Sequence, residues 1–177
     1  MWVFGYGSLM WDGWEESFNG TRVEGAVLEG YRRAFNKKSV ENWGTRDCPC
    51  PTLGLEEAPA ATCTGVAFRF AEAKRDAVWS YLRNREGPSF DLETAPVHLP
   101  DAPTVSALVA INNPSAASYI GDRARPAIAA MVEGAEGQSG DCIEYLKNTR
   151  AKLRALLIDD EAVEQLWAVV CEGEENA

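Results

Sequence analysis

Alternation between apolar and polar positions runs through the first part of the chain and predicts β-strands. The short apolar run at residues 2–4 predicts a buried strand. Residues 21–36 alternate and predict a strand, or a bent hairpin broken at Gly25 and Gly30. Residues 39–62 are rich in Gly, Pro, Cys and Thr, so we expect a loop region there.

The middle of the chain combines further strand patterns with one helical segment. Residues 63–70, 95–99 and 105–112 alternate, and each segment predicts a strand. Residues 72–86 have apolar positions at helical spacing, and the Gly-Pro pair that follows them ends that helix.

Helical patterns close the chain. Small residues over 116–133 predict a helix interrupted at Pro126. The next helix begins after Gly140; Asp141 can cap it, and Glu144 lies three residues on, as in a capping box. A last amphipathic helix starts at Asp160.

The order of these elements indicates the fold class. Strands come early and in the middle, and helices close the chain, which is typical of the α+β class. The chain has 177 residues, enough for one domain with a sizeable core, and it contains neither a repeat nor a linker. We therefore expect one domain over residues 1–177, a small mixed β-barrel with flanking helices.

The charge of the chain narrows the possible partners. The net charge is −10, and the only basic clusters are Arg32-Arg33 and Lys37-Lys38. This composition argues against nucleic acid and against anionic membrane surfaces, and it favours a monomer. No apolar stretch has the length of a membrane span, and the N-terminus lacks the basic segment of a signal peptide. The expected partner is a small molecule, and an anionic one would have to be captured locally.

The cysteines and the histidine bear on redox compartment and metal binding. Five cysteines, an odd number, favour a reducing compartment, which we take to be the cytoplasm. Cys48 and Cys50 form a C-x-C pair of unassigned function, and His98 is the single histidine. A zinc site needs more ligands at suitable spacing, so we expect no metal and no cofactor.

A glycine loop follows the first predicted strand and consists of Gly5, Tyr6, Gly7, Ser8 and Leu9. Glycine allows positive φ, and uncovered N–H groups that converge on one point form a site for a carboxylate or phosphate. The spacing does not match dinucleotide-binding, phosphate-loop or nucleophile-elbow motifs. The alternative interpretation is a tight turn with a purely structural role.

Glu86 is a candidate for proton transfer at the end of the predicted helix. It lies four residues after Leu82 and seven after Trp79, on the same helix face as these apolar side chains. Burial and the C-terminal end of the helix dipole both disfavour a charged carboxylate, which suits a group that exchanges protons near neutral pH. The alternative is an exposed glutamate paired with Arg83 or Arg85.

Four segments of the chain together resemble the motifs of one known family. They are GYGSLMW at residues 5–11, YLRNRE at residues 81–86, CIEYL at residues 142–146 and, more loosely, residues 113–121. In order, they resemble an opening glycine signature, a Y-L-x-x-R-E motif, a C-x-E-Y-L segment and an N-P-x-Y-L-G segment. These are the motifs of the γ-glutamylcyclotransferase superfamily, and the chain resembles in particular its ChaC-type, glutathione-specific branch.

The resemblance implies a fold, a reaction and site residues. It implies a γ-glutamylcyclotransferase-like barrel and a lyase of glutathione catabolism that forms 5-oxoproline. It assigns general acid/base catalysis to Glu86, substrate binding to residues 5–9, and a place in the substrate pocket to Tyr145. Tyr145 could equally be a core tyrosine on an amphipathic helix. The reaction needs neither a cofactor nor a metal.

The sequence departs from the family pattern in two loops, which leaves the substrate open. The branch usually carries an S-x-x-x-R-G-x-P loop; Ser39 fits it, but residues 44–49 have a different order. The residues after Glu86 also differ from the usual G-x-Y. These loops border the Cys-Gly end of glutathione, so γ-glutamyl amino acids or amines are alternative substrates. A non-catalytic module that binds γ-glutamyl ligands is an alternative of another class.

Overall fold

The computed structural model describes residues 1–87, 90–121 and 123–174, and the chain divides into two compact units. The first unit consists of Met1–Arg32 and Leu55–Ala117, and the second of Arg33–Gly54 and Ser118–Ala177. One domain over residues 1–177 stays a prediction. No helix within the described ranges is both long and apolar enough to cross a bilayer.

Five strands form a closed barrel in the order β1-β3-β2-β4-β5. The strands are β1 (Trp2–Gly5), β2 (Thr21–Ser39), β3 (Cys50–Arg69), β4 (Phe90–Leu99) and β5 (Ala102–Asn112). β1 pairs antiparallel with β3 and parallel with β5, so that Val3 lies opposite both Phe68 and Leu108. The mixed barrel expected from the sequence is confirmed.

Two strands are longer than their sequence patterns predict. β2 is one strand and not a hairpin, because Gly25 (φ 76°) and Gly30 (φ 80°) adopt positive φ inside it without reversing the chain. The loop expected over 39–62 is also wrong, since β3 already begins at Cys50. Strand pairing within the barrel outweighs the local composition of this segment.

Among its described residues, the first unit contains one α-helix. A single 3₁₀ turn (Glu72–Lys74) leads into α1 (Arg75–Glu86), as the sequence predicted. The helix ends at Gly87, whose φ of 68° favours glycine. Its buried face carries Val78 and Leu82. Pro88, the other residue predicted to end the helix, lies outside the described residues.

The part of the second unit that the structure describes contains three helices and a two-stranded hairpin. They are α2 (Arg125–Ala130), β6 (Glu136–Gly137), β7 (Gly140–Asp141), α3 (Cys142–Ala155) and α4 (Glu161–Glu174).

The ends of these helices correct two predictions. The helix expected over 116–133 shrinks to α2, because Pro126 occupies its first turn and begins the helix instead of interrupting it. Asp141 is the N-cap residue of α3 but makes no side-chain cap hydrogen bond. Asp160 does cap α4, since its Oδ1 accepts the Val163 N–H at 3.2 Å.

Ion pairs join α3 to α4, and both helices also bury apolar side chains. Glu164 accepts hydrogen bonds from the guanidinium groups of Arg150 and Arg154 at 2.9–3.0 Å. The hydrogen bonds from Arg150 are the main reason that the pKa of Glu164 lies below its usual range. The buried apolar residues of the two helices include Leu146, Leu153, Val163 and Leu166.

A disulfide links the start of β3 to the start of α3 within the second unit. It joins Cys50 and Cys142, whose Cα atoms are 5.5 Å apart. The odd number of cysteines led us to expect reduced thiols, and the structure differs at this pair. Cys48, Cys63 and Cys171 are not part of a disulfide.

We predict that Cys142→Ala lowers the free energy of unfolding by about 4 kcal/mol, because the crosslink joins residues separated by 92 positions in the unfolded chain. Urea unfolding of the oxidised protein measures the change. Cys171→Ala removes a free thiol and is the control, with an expected effect below about 0.5 kcal/mol. Five reactive thiols in the unreduced, denatured protein, instead of three, would contradict the crosslink.

Candidate active site

The glycine loop, residues 5–9, leaves the barrel where β1 ends. Ser8–Met10 form a 3₁₀ turn in which Gly7 O accepts the Met10 N–H at 2.9 Å and Ser8 O accepts the Trp11 N–H at 3.1 Å. Within the part of the chain that the structure describes, no hydrogen bond uses the N–H of Ser8 or Leu9. Two neighbouring backbone donors are therefore available to an acceptor placed above the turn.

The glycines of the loop do not adopt positive φ, and Gly5 instead allows close packing. Gly7 has φ −124°, and Gly5 is not among the positive-φ glycines of the described residues. A Cβ on Gly5 would lie 3.0 Å from both Leu9 Cβ and Phe68 Cε2. The predicted positive φ is wrong, and the physical reason for glycine at position 5 is that the turn folds directly onto the end of β1.

Two side chains of the glycine loop, those of Tyr6 and Leu9, are buried. Tyr6 is 5% exposed and its hydroxyl donates to Ala110 O at 2.8 Å. Leu9 is 6% exposed. A ligand at this turn would therefore meet backbone groups and the Ser8 hydroxyl, not the side chains of Tyr6 and Leu9.

Glu86 is the last residue of α1, at the negative end of the helix dipole, as predicted. Its side chain keeps 16% of its surface exposed. Leu82 is buried as expected, but Trp79 is 39% exposed, so the prediction that Trp79 shares a buried face with Glu86 is wrong. The inward face of α1 is formed instead by Val78 and Leu82, because the helix is rotated relative to the predicted stripe.

Arg85 links the end of α1 to the glycine loop. Its Nη2 donates to Ser8 Oγ at 2.9 Å and also pairs with the Asp12 carboxylate. Its Nη1 donates to the Tyr81 hydroxyl at 2.9 Å, and its Nε lies 3.8 Å from Glu86 Oε1. The helix end and the loop are thus held together by one guanidinium group.

The charge of Arg85 is secured by its surroundings. Burial lowers the pKa of Arg85, but the carboxylates of Asp12 and Glu86, together with Tyr81, outweigh burial and raise the pKa above its usual value. The group remains a cation at every pH at which the protein functions.

Tyr81 is fixed by a cluster of aromatic rings. The Trp14 ring stacks on it with centroids 5.5 Å apart and an interplanar angle of 1°, and Phe18 meets it edge-on at 5.4 Å. Trp14 in turn contacts Phe68 and Phe70 at 5.3 and 5.2 Å. Aromatic pairs of this kind stabilise a fixed geometry, so the acceptor that holds Arg85 Nη1 is itself rigid.

Tyr145, the remaining predicted site residue, belongs to the second unit. It is 3% exposed, and its hydroxyl accepts the Leu53 N–H at 3.0 Å. Its ring lies 5.4 Å from that of Trp43. These contacts describe a core tyrosine of α3, and the place of Tyr145 in a substrate pocket stays a prediction.

Sequence reasoning missed two partners in this site, Arg85 and Asp12. Arg85 stands next to Glu86 in the chain, but it was considered only as part of a surface ion pair. Asp12 has no sequence signal, because its pairing with Arg85 depends on how α1 docks on the barrel.

A separate cavity of about 630 Å³ in the second unit, lined by Val132, Ile143 and Val169 among others, contains none of the predicted site residues. Among the described residues, no group of His, Cys, Asp and Glu side chains is placed to hold a metal ion.

Comparison with known proteins gives consistent matches over nearly the whole chain. Residues 1–173 match the family model for ChaC-like proteins. "Gamma-glutamylcyclotransferase 2-3" of Arabidopsis thaliana is 35% identical, with 94% of this chain and 86% of that protein covered. "Glutathione-specific gamma-glutamylcyclotransferase" of Escherichia coli is 33% identical, with 96% and 72% covered.

Solved structures show the same fold. The crystal structure of a selenomethionine-labelled γ-glutamyl cyclotransferase from yeast, described as specific to glutathione, superimposes with a TM-score of 0.86 at 20% identity, covering 97% of this chain and 96% of that one. The barrel with flanking helices is therefore a γ-glutamylcyclotransferase fold.

We predict that Tyr145→Phe lowers the free energy of unfolding by about 1–2 kcal/mol, because the Leu53 N–H would be left buried without its acceptor. Urea unfolding measures the difference. Tyr31→Phe is the matched control, since the Tyr31 hydroxyl makes no hydrogen bond to the described residues, and it should change stability by less than about 0.5 kcal/mol. Equal losses in the two variants would contradict a structural role for the Tyr145 hydroxyl.

Proposed function

This chain belongs to the ChaC-like family, and we propose that it is a glutathione-specific γ-glutamylcyclotransferase, a lyase that converts glutathione to 5-oxoproline and Cys-Gly. The observation that carries the proposal is the joining of Glu86 to the glycine loop through Arg85, which donates to Ser8 Oγ at 2.9 Å. This contact supports a site in which Glu86 and the backbone donors of the loop act together.

The reaction is an intramolecular acyl transfer. The α-amine of the γ-glutamyl group attacks its own γ-carbonyl carbon, a C–N bond closes the five-membered lactam, and the C–N bond to cysteine breaks. No water is consumed and no enzyme nucleophile takes part. The protein has to hold the γ-glutamyl chain folded, which exploits the high effective molarity of an oriented intramolecular attack.

Glu86 is proposed as the general acid/base. The attacking amine must lose a proton, and the leaving nitrogen of cysteine must gain one. One carboxylate can accept the first proton and deliver it to the second nitrogen. The Glu86 carboxylate suits this role because its side chain is mostly buried yet keeps 16% of its surface accessible.

The glycine loop, residues 5–9, is proposed to bind the α-carboxylate of the substrate. The N–H groups of Ser8 and Leu9 are not used by the described backbone hydrogen bonds, and they are oriented by the 3₁₀ turn. Backbone donors fixed in this way can also stabilise the oxyanion that develops on the γ-carbonyl. Tyr145 is proposed, from its family motif, to line the substrate pocket.

The proposed setting follows from the substrate. Glutathione sets the redox poise of the cytosol, so the cytoplasm is the proposed compartment. A net charge of −10 keeps like molecules apart, and a monomer is proposed. The reaction as written uses no cofactor or metal ion, and it involves neither nucleic acid nor membrane.

We predict that Glu86→Gln lowers kcat on glutathione at least about 100-fold, the usual contribution of a general acid/base, while glutathione still binds with similar affinity. Release of 5-oxoproline measures turnover, and isothermal titration calorimetry measures binding. Asp76→Asn on the exposed face of α1 removes the same charge and should keep full activity. Turnover by Glu86→Gln at the wild-type rate would show that another group transfers the proton.

A substrate panel tests the leaving group. We expect mass spectrometry to detect 5-oxoproline and Cys-Gly from glutathione, with little 5-oxoproline from other γ-glutamyl dipeptides or γ-glutamyl amines. Product from those other donors alone would keep the chemistry and overturn the assignment to glutathione. Binding without 5-oxoproline from any donor would instead indicate a non-catalytic module.

A further inference from the structure

We propose that Arg85 is a positioning residue of the cyclotransfer, which holds the Glu86 carboxylate at a fixed position relative to the N–H groups of the glycine loop. The inference rests on the proposed function for its chemistry, whereas its structural basis is independent of it. Arg85 contacts no substrate in this proposal; it acts through Glu86 and Ser8.

All three nitrogen atoms of the Arg85 guanidinium group face a partner. Nη1 is held by the Tyr81 hydroxyl at 2.9 Å, Nη2 by Ser8 Oγ at 2.9 Å and by the Asp12 carboxylate, and Nε faces Glu86 Oε1 at 3.8 Å. A planar group bonded at both ends cannot shift toward one partner without losing another. Movement of the loop is therefore transmitted to the end of α1, and movement of the helix end is transmitted to the loop.

The Tyr81 hydroxyl that accepts from Arg85 is held in a fixed position. Tyr81, which accepts from Nη1, is stacked on Trp14 at 5.5 Å and does not depend on the ligand for its position. Arg85 itself is mostly buried, with 19% of its side chain exposed. The contact consequently differs from a surface ion pair, which would contribute little to a fixed geometry.

The positive charge of Arg85 also acts on the two carboxylates beside it. Arg85 lies between two carboxylates, those of Asp12 and Glu86, with the Tyr81 hydroxyl as the other titratable group facing it. A cation beside a carboxylate favours its charged form. Replacement of Arg85 by a neutral residue would leave both carboxylates without the positive charge between them.

The test compares Arg85→Met, Arg85→Lys and Arg83→Met by the pH dependence of kcat and kcat/KM on glutathione. We expect Arg85→Met to lower kcat at least about 100-fold, as a misplaced catalytic group does, and to move the acidic limb of the profile to higher pH. Arg85→Lys keeps the charge but not the fork, so kcat should fall while the acidic limb stays in place. Arg83 is exposed on the same helix turn, and its variant should match wild type.

A second readout does not depend on activity. In ¹⁵N-labelled protein without ligand, Arg85→Met should shift the amide resonances of Ser8 and Leu9, and Arg83→Met should not. Unchanged loop resonances, or identical profiles for Arg85→Met and Arg83→Met, would overturn the positioning role. If wild type forms no 5-oxoproline while the loop resonances respond to Arg85, the proposed function fails and the link between loop and helix stands.

Discussion

Closure of the barrel through β1 is the constraint on which the proposed chemistry depends. This strand has four residues, yet it pairs with β3 on one side and β5 on the other. Buried Val3 and Phe4 fix it further. A strand held on both edges ends at a defined point, and the glycine loop begins there. Glycine fits at position 5 because a Cβ there would lie 3.0 Å from Leu9 Cβ and Phe68 Cε2, closer than ordinary van der Waals contact.

The chemistry then requires few additional parts. Substrate and nucleophile are the same molecule, so the protein has to fold one chain, accept a proton and return it. In the proposed mechanism, the glycine loop offers backbone donors, and Glu86 transfers the proton at the end of α1. Arg85 joins them, and the aromatic rings around Tyr81 keep that junction in place. Burial of the arginine excludes much of the solvent that would otherwise weaken these contacts.

Local signals carried most of what the sequence could predict. The glycine loop and the end of α1 depend on neighbouring residues, and both lie where they were expected. Residues 39–62 were misjudged because pairing of β3 within the barrel outweighs composition. Glycine at position 5 was expected for its backbone freedom, but it is required by contact with Leu9 and Phe68. The partnership of Arg85 with Asp12 spans 73 positions, and no local pattern reveals it.

The central claim is that the glycine loop and Glu86 form one site for the γ-glutamyl group, and a crystal structure of Glu86→Gln soaked with glutathione tests it most directly. The account predicts that the α-carboxylate accepts hydrogen bonds from the Ser8 and Leu9 N–H groups. It also predicts the α-amine within hydrogen-bond distance of the residue 86 side chain, near the γ-carbonyl carbon. Glutathione bound with its γ-glutamyl group away from residues 5–9 would contradict the account.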